Sequence, residues 1–231
     1  MKFNINRIIT KVQIPIIRIC NQRCPNCCAR HELTWYNKNL NKEKEVSLEE
    51  LKWAGELLGY IPEIEITGGE PTLHSQFEEL TNNLRNYFNY KKIMLVSNGF
   101  LFGKDPSKLP LLLKYDRYYF THYTNQFDKE NKTGTNTKTI EMITEYIKKN
   151  IRPKWLPVDV SSHIIYGSPP YPGRSCERNN SNMISYYEGK LYGCCIAWSL
   201  ENKGIGIPLT KNWRNELHNI ELPCESCFLS V

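Results

Sequence analysis

Glu63-Ile64-Glu65-Ile66-Thr67-Gly68-Gly69-Glu70-Pro71 joins an alternating apolar run to a glycine turn. Ile64 and Ile66 alternate with charged residues, the period of a strand that buries one face. Paired glycines end the run, and Ser75-Gln76-Phe77-Glu78 then has the form of a capping box. That box predicts a helix whose Phe77, Leu80, Leu84, Tyr87 and Phe88 form one apolar stripe. Upstream, Ser47-Leu48-Glu49-Glu50 predicts another capped helix carrying Leu51, Ala54, Leu57 and Leu58 at helical intervals. A strand between two amphipathic helices is the repeating unit of a parallel α/β sheet.

The same alternation extends in both directions. Lys11 to Ile19 is rich in β-branched residues without helical spacing and predicts a strand that delivers Cys20. Ile93 to Val96 has the continuous apolar character of a strand buried on both faces. Asp116 to Thr121 and Val158 to Ile165 predict two more strands, with a helix over Thr139 to Lys149 carrying Ile140, Ile143 and Ile147 in register. Five strands joined by helices predict right-handed crossovers, in an open wound sheet or a partial barrel. In both, chemistry gathers at the carboxyl ends of the strands.

Composition narrows the class. The 231 residues are 40% hydrophobic and 23% charged, too apolar for a disordered chain. A net charge of +6 suits an anionic cofactor or small substrate as well as nucleic acid, and no basic stripe or RNA-binding signature accompanies it. No apolar run is long enough to span a membrane, and Met1 to Lys11 lacks a signal-type apolar core, so a cytoplasmic protein is expected. Ser168-Pro169-Pro170-Tyr171-Pro172-Gly173 breaks regular structure. The expected division is a core over 1–167 and a small domain over 168–231.

Nine cysteines fall in two groups: Cys20, Cys24, Cys27 and Cys28, then Cys176, Cys194, Cys195, Cys224 and Cys227. Two metal sites explain this pattern better than a disulfide scaffold. Cys20, Cys24 and Cys27 are spaced C-x3-C-x2-C, and three thiolates can hold three corners of a [4Fe-4S] cube and leave one iron open. Zinc is the alternative, with Cys28 or His31 as a fourth ligand. Gly68-Gly69-Glu70-Pro71 reads in isolation as a turn. At the end of the second strand, after a three-cysteine loop on the first, it reads as a place where a ligand approaches the backbone.

With these residues in place the sequence resembles the radical S-adenosylmethionine (radical SAM) superfamily over about residues 11–165. Cys20, Cys24 and Cys27 match its cluster motif, and Gly68, Gly69, Glu70 and Pro71 match its GGEP motif. The resemblance implies a partial (β/α) TIM-like barrel of about five to six parallel strands. It also implies a [4Fe-4S] cluster whose open iron is chelated by S-adenosylmethionine, with Glu70 and the glycine backbone at the methionine amine. Ser97-Asn98-Gly99 resembles the family's T/S-N-G segment, and Thr121 falls where a Ser often stands, both on the cofactor's ribose or carboxylate side. Asn26 precedes the third cysteine, where the family usually places an aromatic residue near adenine.

The tail resembles the SPASM/twitch class of auxiliary-cluster domains, in the shorter twitch form. Cys176, Gly189 and Cys194 followed by the pair Cys224 and Cys227 carry this resemblance, which implies four thiolates around an auxiliary [4Fe-4S] cluster. Cys195 is a rival to Cys194, and a zinc ribbon would use the same four ligands. The short core followed by such a tail resembles the radical SAM dehydrogenases that oxidise an aminocyclitol alcohol. The implied activity is hydrogen abstraction from a small-molecule substrate by a 5′-deoxyadenosyl radical, with net two-electron oxidation. An electron donor such as flavodoxin or ferredoxin, and a monomer or dimer, go with it. His122, Tyr123, Ser162 and His163, near strand ends, are candidates for proton transfer. Peptide maturation or epimerisation, and a zinc or iron-sulfur module binding nucleic acid, are the rival functions.

Overall fold

The computed structural model describes residues 8–22, 34–35, 45–122, 136–150, 158–161, 182–193 and 206–220. In chain order the strands are β1 (Lys11–Pro15), β2 (Ile19–Cys20), β3 (Thr34–Trp35), β4 (Tyr60–Thr67), β5 (Asn89–Ser97), β6 (Arg117–Thr121), β7 (Val158–Ser161), β8 (Met183–Tyr187), β9 (Lys190–Tyr192) and β10 (Ile207–Pro208). The helices are α1 (Leu48–Leu58), α2 (Phe77–Asn82), α3 (Leu84–Tyr87), α4 (Phe100–Lys104), α5 (Thr137–Asn150) and α6 (Trp213–Glu216). No helix among the described residues is long and apolar enough to cross a membrane.

Eight strands form one sheet in the order β10-β9-β8-β1-β4-β5-β6-β7, and the six from β8 to β7 are parallel. From β1 through β7 each strand of this sheet lies beside the next one in sequence, so the winding never reverses. Of the two arrangements the sequence leaves open, single winding is that of a barrel; a doubly wound sheet would have a switch point. Among the described residues β7 and β10 are the edges of the sheet and do not pair with each other, so the barrel is partial.

Register explains the curvature. Ile184, Val12, Ile64 and Ile93 stand in one row, and Ile14, Ile66, Leu95 and Tyr118 in the next but one. All are buried and join one core with Leu51 and Leu58 of α1, Leu80 of α2 and Ile140 and Ile143 of α5. The alternate residues make the opposite face polar: Lys11 Nζ lies 2.8 Å from Glu63 and 3.2 Å from Glu65, and Gln13 Nε2 donates to Glu65 at 2.7 Å. Arg117 of β6 reaches past β5 to Glu63 of β4 at 2.9 Å. The Lys11 side chain from β1, next to β4, and the Arg117 side chain from β6, two strands away on the other side, meet on Glu63, which fits a concave face.

Several elements differ from the sequence expectation. The strand expected over Lys11 to Ile19 stops at Pro15, which lacks the N–H to continue the ladder, and resumes as β2. The Ser75 capping box does not form. Its hydroxyl and N–H both go to Glu45, and α2 starts at Phe77 without a side-chain cap. The expected continuous stripe to Phe88 is broken at Asn83, whose side chain donates to the Glu79 carbonyl at 2.8 Å. The Ser47 box is half formed: Ser47 accepts from the Glu50 N–H, but the Glu50 carboxylate accepts from the Tyr186 hydroxyl at 2.7 Å. The last core strand is described as Val158–Ser161, and 162–165 lie outside the described residues. β8, β9 and β10, from beyond the expected division at 167/168, share the sheet with β1.

Candidate active site

The two motif-bearing loops are joined through their backbones. The Ile16 N–H donates to the Thr67 carbonyl, the Gly69 N–H to Ile17 at 2.7 Å and the Glu70 N–H to Ile19 at 2.8 Å. The chain entering Cys20 therefore runs hydrogen-bonded along the Gly-Gly-Glu turn. A Cβ at Gly68 would stand 2.5 Å from the Ile17 carbonyl oxygen, and its φ is 154°, so only glycine permits this approach. Cys20 is buried at 7% exposure, and the Gln22 N–H donates to its Sγ at 3.4 Å.

Glu70 is 1% exposed and straps the strand ends together. Its Oε1 accepts from the Thr72 N–H at 3.1 Å, the Thr72 hydroxyl at 2.5 Å and the Ser97 hydroxyl at 2.6 Å; Oε2 accepts from the Asn98 N–H at 2.7 Å. Burial pushes the carboxyl pKa above its ordinary value, against these four bonds, which favour the charged form. A carboxylate has about four lone-pair sites, so Oε2, with one donor, keeps acceptor capacity for an ammonium group.

Asn98 extends the belt in two directions. Its Nδ2 donates to Asn21 Oδ1 at 2.8 Å, tying the loop after Cys20 to β5. Its carbonyl and that of Thr121 both accept from Asn136 Nδ2 at 2.7 Å, joining the ends of β5 and β6 to the start of α5. Gly99 follows at φ 80°, where a Cβ would stand 3.0 Å from Ile143 of α5. His122 Nε2 lies 2.8 Å from the Thr137 hydroxyl, so one ring nitrogen is engaged at the start of α5.

The described residues thus bring together Cys20, Gly68, Gly69, Glu70, Pro71, Ser97, Asn98 and Thr121 at the carboxyl ends of the strands, with His122 beside them. Cys24, Asn26, Cys27, Tyr123, Ser162, His163, Cys176, Cys194, Cys224 and Cys227 lie outside the described residues. Asn21, Thr72 and Asn136 were not singled out by sequence, although short polar residues at strand ends are a signal for such bonds.

The descriptions of known proteins bear on this arrangement. The family model described as Radical SAM superfamily matches residues 14–172. A GTP 3′,8-cyclase of Helicobacter pylori (strain ATCC 700392 / 26695) is 31% identical over 99 residues, 43% of this chain and 30% of that protein. A GTP 3′,8-cyclase of Clostridium perfringens (strain SM101 / Type A) is 25% identical over 158 residues, 67% of this chain and 48% of that protein. The chain thus spans about a third to a half of the length of these curated relatives. The crystal structure of BtrN in complex with AdoMet and 2-DOIA superposes with a TM-score of 0.57 at 13% identity, covering 96% of this chain and 92% of that one. A family match over well more than half its length, on a singly wound sheet whose two motif loops are zipped together, makes this chain a member of the radical SAM superfamily.

Proposed function

We propose that this radical SAM enzyme removes a hydrogen atom from a small polar molecule and oxidises it by two electrons, with an auxiliary [4Fe-4S] cluster receiving the second electron. The observation that carries the reading is the hairpin β8–β9 on β1, bracketed in sequence by Cys176 and Cys194. Ser185 stands opposite Tyr192, so the chain enters and leaves the hairpin at the same end. Cys224 and Cys227 follow α6 in sequence, and these four thiolates would close the auxiliary site. The polar face of Lys11, Gln13, Glu63 and Glu65 suits a substrate bearing hydroxyl or amino groups.

The donor set fits the family's cofactors. Cys20 is buried beside the Gly-Gly-Glu turn, the Gly68 cradle has no room for a Cβ, and Glu70 keeps acceptor capacity. When bound, the cluster of Cys20, Cys24 and Cys27 with S-adenosylmethionine supplies a hydrogen-abstracting radical by one-electron reduction, from a donor such as flavodoxin or ferredoxin. The chain's own part is to bind and orient. Glu70 would hold the cofactor's ammonium, Ser97 and Asn98 would fix the strand end beside it, and the concave face would hold substrate away from water. Tyr123 and His163, with His122, are the groups proposed to take the hydroxyl proton as the alcohol is oxidised.

The curated relatives favour a second reading, cyclisation of a purine nucleotide. Anaerobic reconstitution tests both. The dehydrogenase reading expects about eight irons per chain, falling to about four in a Cys224→Ala, Cys227→Ala double variant that still forms 5′-deoxyadenosine but no oxidised product. Eight irons with unchanged product formation in that variant, or deuterium transfer from ribose-labelled GTP, would overturn it.

A further inference from the structure

Gln22 is the second residue after Cys20 and is 6% exposed. Its backbone is committed: the N–H donates to Cys20 Sγ at 3.4 Å. Asn21, just before it, is fastened to Asn98 at 2.8 Å, so the loop is fixed on both sides of the peptide. The Gln22 carboxamide oxygen, by contrast, is buried and has no hydrogen-bond partner among the described residues. A buried acceptor left unbonded loses its hydration with nothing in return, whereas a leucine would fill the same space without that loss. A polar group held this way, one residue beyond a pinned side chain and bonded through its backbone to the Cys20 sulfur, is suited to a donor that comes from outside the chain.

We infer that Gln22 is a cofactor-contact residue whose carboxamide oxygen accepts a hydrogen bond from S-adenosylmethionine bound beside Cys20. The inference rests on the reading that Cys20, Cys24 and Cys27 hold the first cluster. The cofactor carries suitable donors in its ammonium, ribose hydroxyl and adenine amino groups. Gln22 thus complements Glu70: the two acceptors approach the cofactor from the cysteine loop and from the end of β4, and Asn98 ties the two together through Asn21 and the Glu70 carboxylate.

The test uses the reconstituted full chain and titration with S-adenosylmethionine, followed by the change it causes in the electron paramagnetic resonance spectrum of the reduced cluster. Gln22→Leu is expected to raise the Kd about 5- to 30-fold, the loss of one hydrogen bond, while the spectrum before titration stays as in the parent. Gln22→Glu keeps an acceptor and is expected to bind within a few-fold of the parent. A Gln22→Leu protein that binds the cofactor like the parent overturns the inference, and greater resistance to urea would then show the buried oxygen to be a plain cost. So does a Gln22→Glu protein that binds as weakly as Gln22→Leu, which would make the carboxamide a donor. A spectrum altered before any cofactor is added also overturns it, placing the effect on the cluster. Failure of the underlying reading shows earlier and separately, as a parent protein that takes up no cluster.

Discussion

At the scale of single residues, the site is organised around acceptors shared between loops. Ser97 shows how much depends on one hydroxyl: it donates to Glu70 Oε1 at 2.6 Å and accepts from the Gly99 N–H at 2.9 Å. Ser97→Ala removes both partners and leaves a buried N–H unsatisfied. Its unfolding free energy in urea should fall by about 1–3 kcal/mol, and the Glu70 pKa, followed by carboxyl-region spectroscopy, should rise further for want of one donor. The motif residues themselves were legible because C-x3-C-x2-C and Gly-Gly-Glu-Pro are local patterns. Their partners were not. Asn21 finds Asn98 across 77 positions and Asn136 finds Asn98 across 38, distances over which no local spacing carries information.

Secondary-structure elements show the same division between local and distant causes. The α1 helix and α5 follow from their own periodicity: Leu51, Ala54 and Leu58, and Ile140, Ile143 and Ile147, are buried as the stripes predict, while Leu57 is only half-buried. Both capping boxes instead met competitors from elsewhere in the chain, Tyr186 for Glu50 and Glu45 for Ser75. The hairpin β8–β9 is not legible in the sequence, because the tail around it is rich in Gly, Asn and Cys and its turn lacks the Asn-Gly that usually marks the type. Glu188 takes the first turn position at φ 47°, a conformation in which a side chain is strained, and its carboxylate lies 2.8 Å from Arg18. Glu188→Gln loses the ion pair and keeps the strain, whereas Glu188→Asn loses the ion pair and relieves the strain. The Asn protein should therefore be about 1 kcal/mol more stable than the Gln protein in thermal or urea unfolding.

On the scale of the whole molecule, the concave face acts as an electrostatic clamp across the sheet. Burial works against the charge of Glu63, but the bonds and charges of Lys11 and Arg117 outweigh it and hold the carboxyl below its ordinary 4.5. Burial likewise opposes the charge of Lys11, yet attraction to Glu65 and bonding to Glu63 keep its pKa above 10.5. A lowered acid contributes stability above its unfolded value and loses it as pH falls through the folded one; a raised base does the reverse on the alkaline side. Glu70, raised by burial, has the opposite sign and gains as pH falls toward 4.5. The urea midpoint should thus rise slightly from neutral pH toward 4.5 and drop below it, and Glu63→Gln should make the drop shallower while keeping the rise.

The place of β1 in the sheet has a consequence for how the chain comes to be built. β1 lies inside the sheet, between β4 and β8, and its bond from the Thr10 N–H to the Asn182 carbonyl closes a span of 172 residues. During synthesis β1 is made well before β8, so one of its edges waits while the 172 residues to Asn182 are added. Until then that edge presents unpaired N–H and carbonyl groups at the head of an isoleucine-rich segment, a ready template for a second chain. A polypeptide halted before Asn182 keeps the cysteine loop and the glycine turn but exposes this sticky edge. Solubility of the nascent enzyme therefore depends on the late arrival of β8 as much as catalysis depends on the early strands.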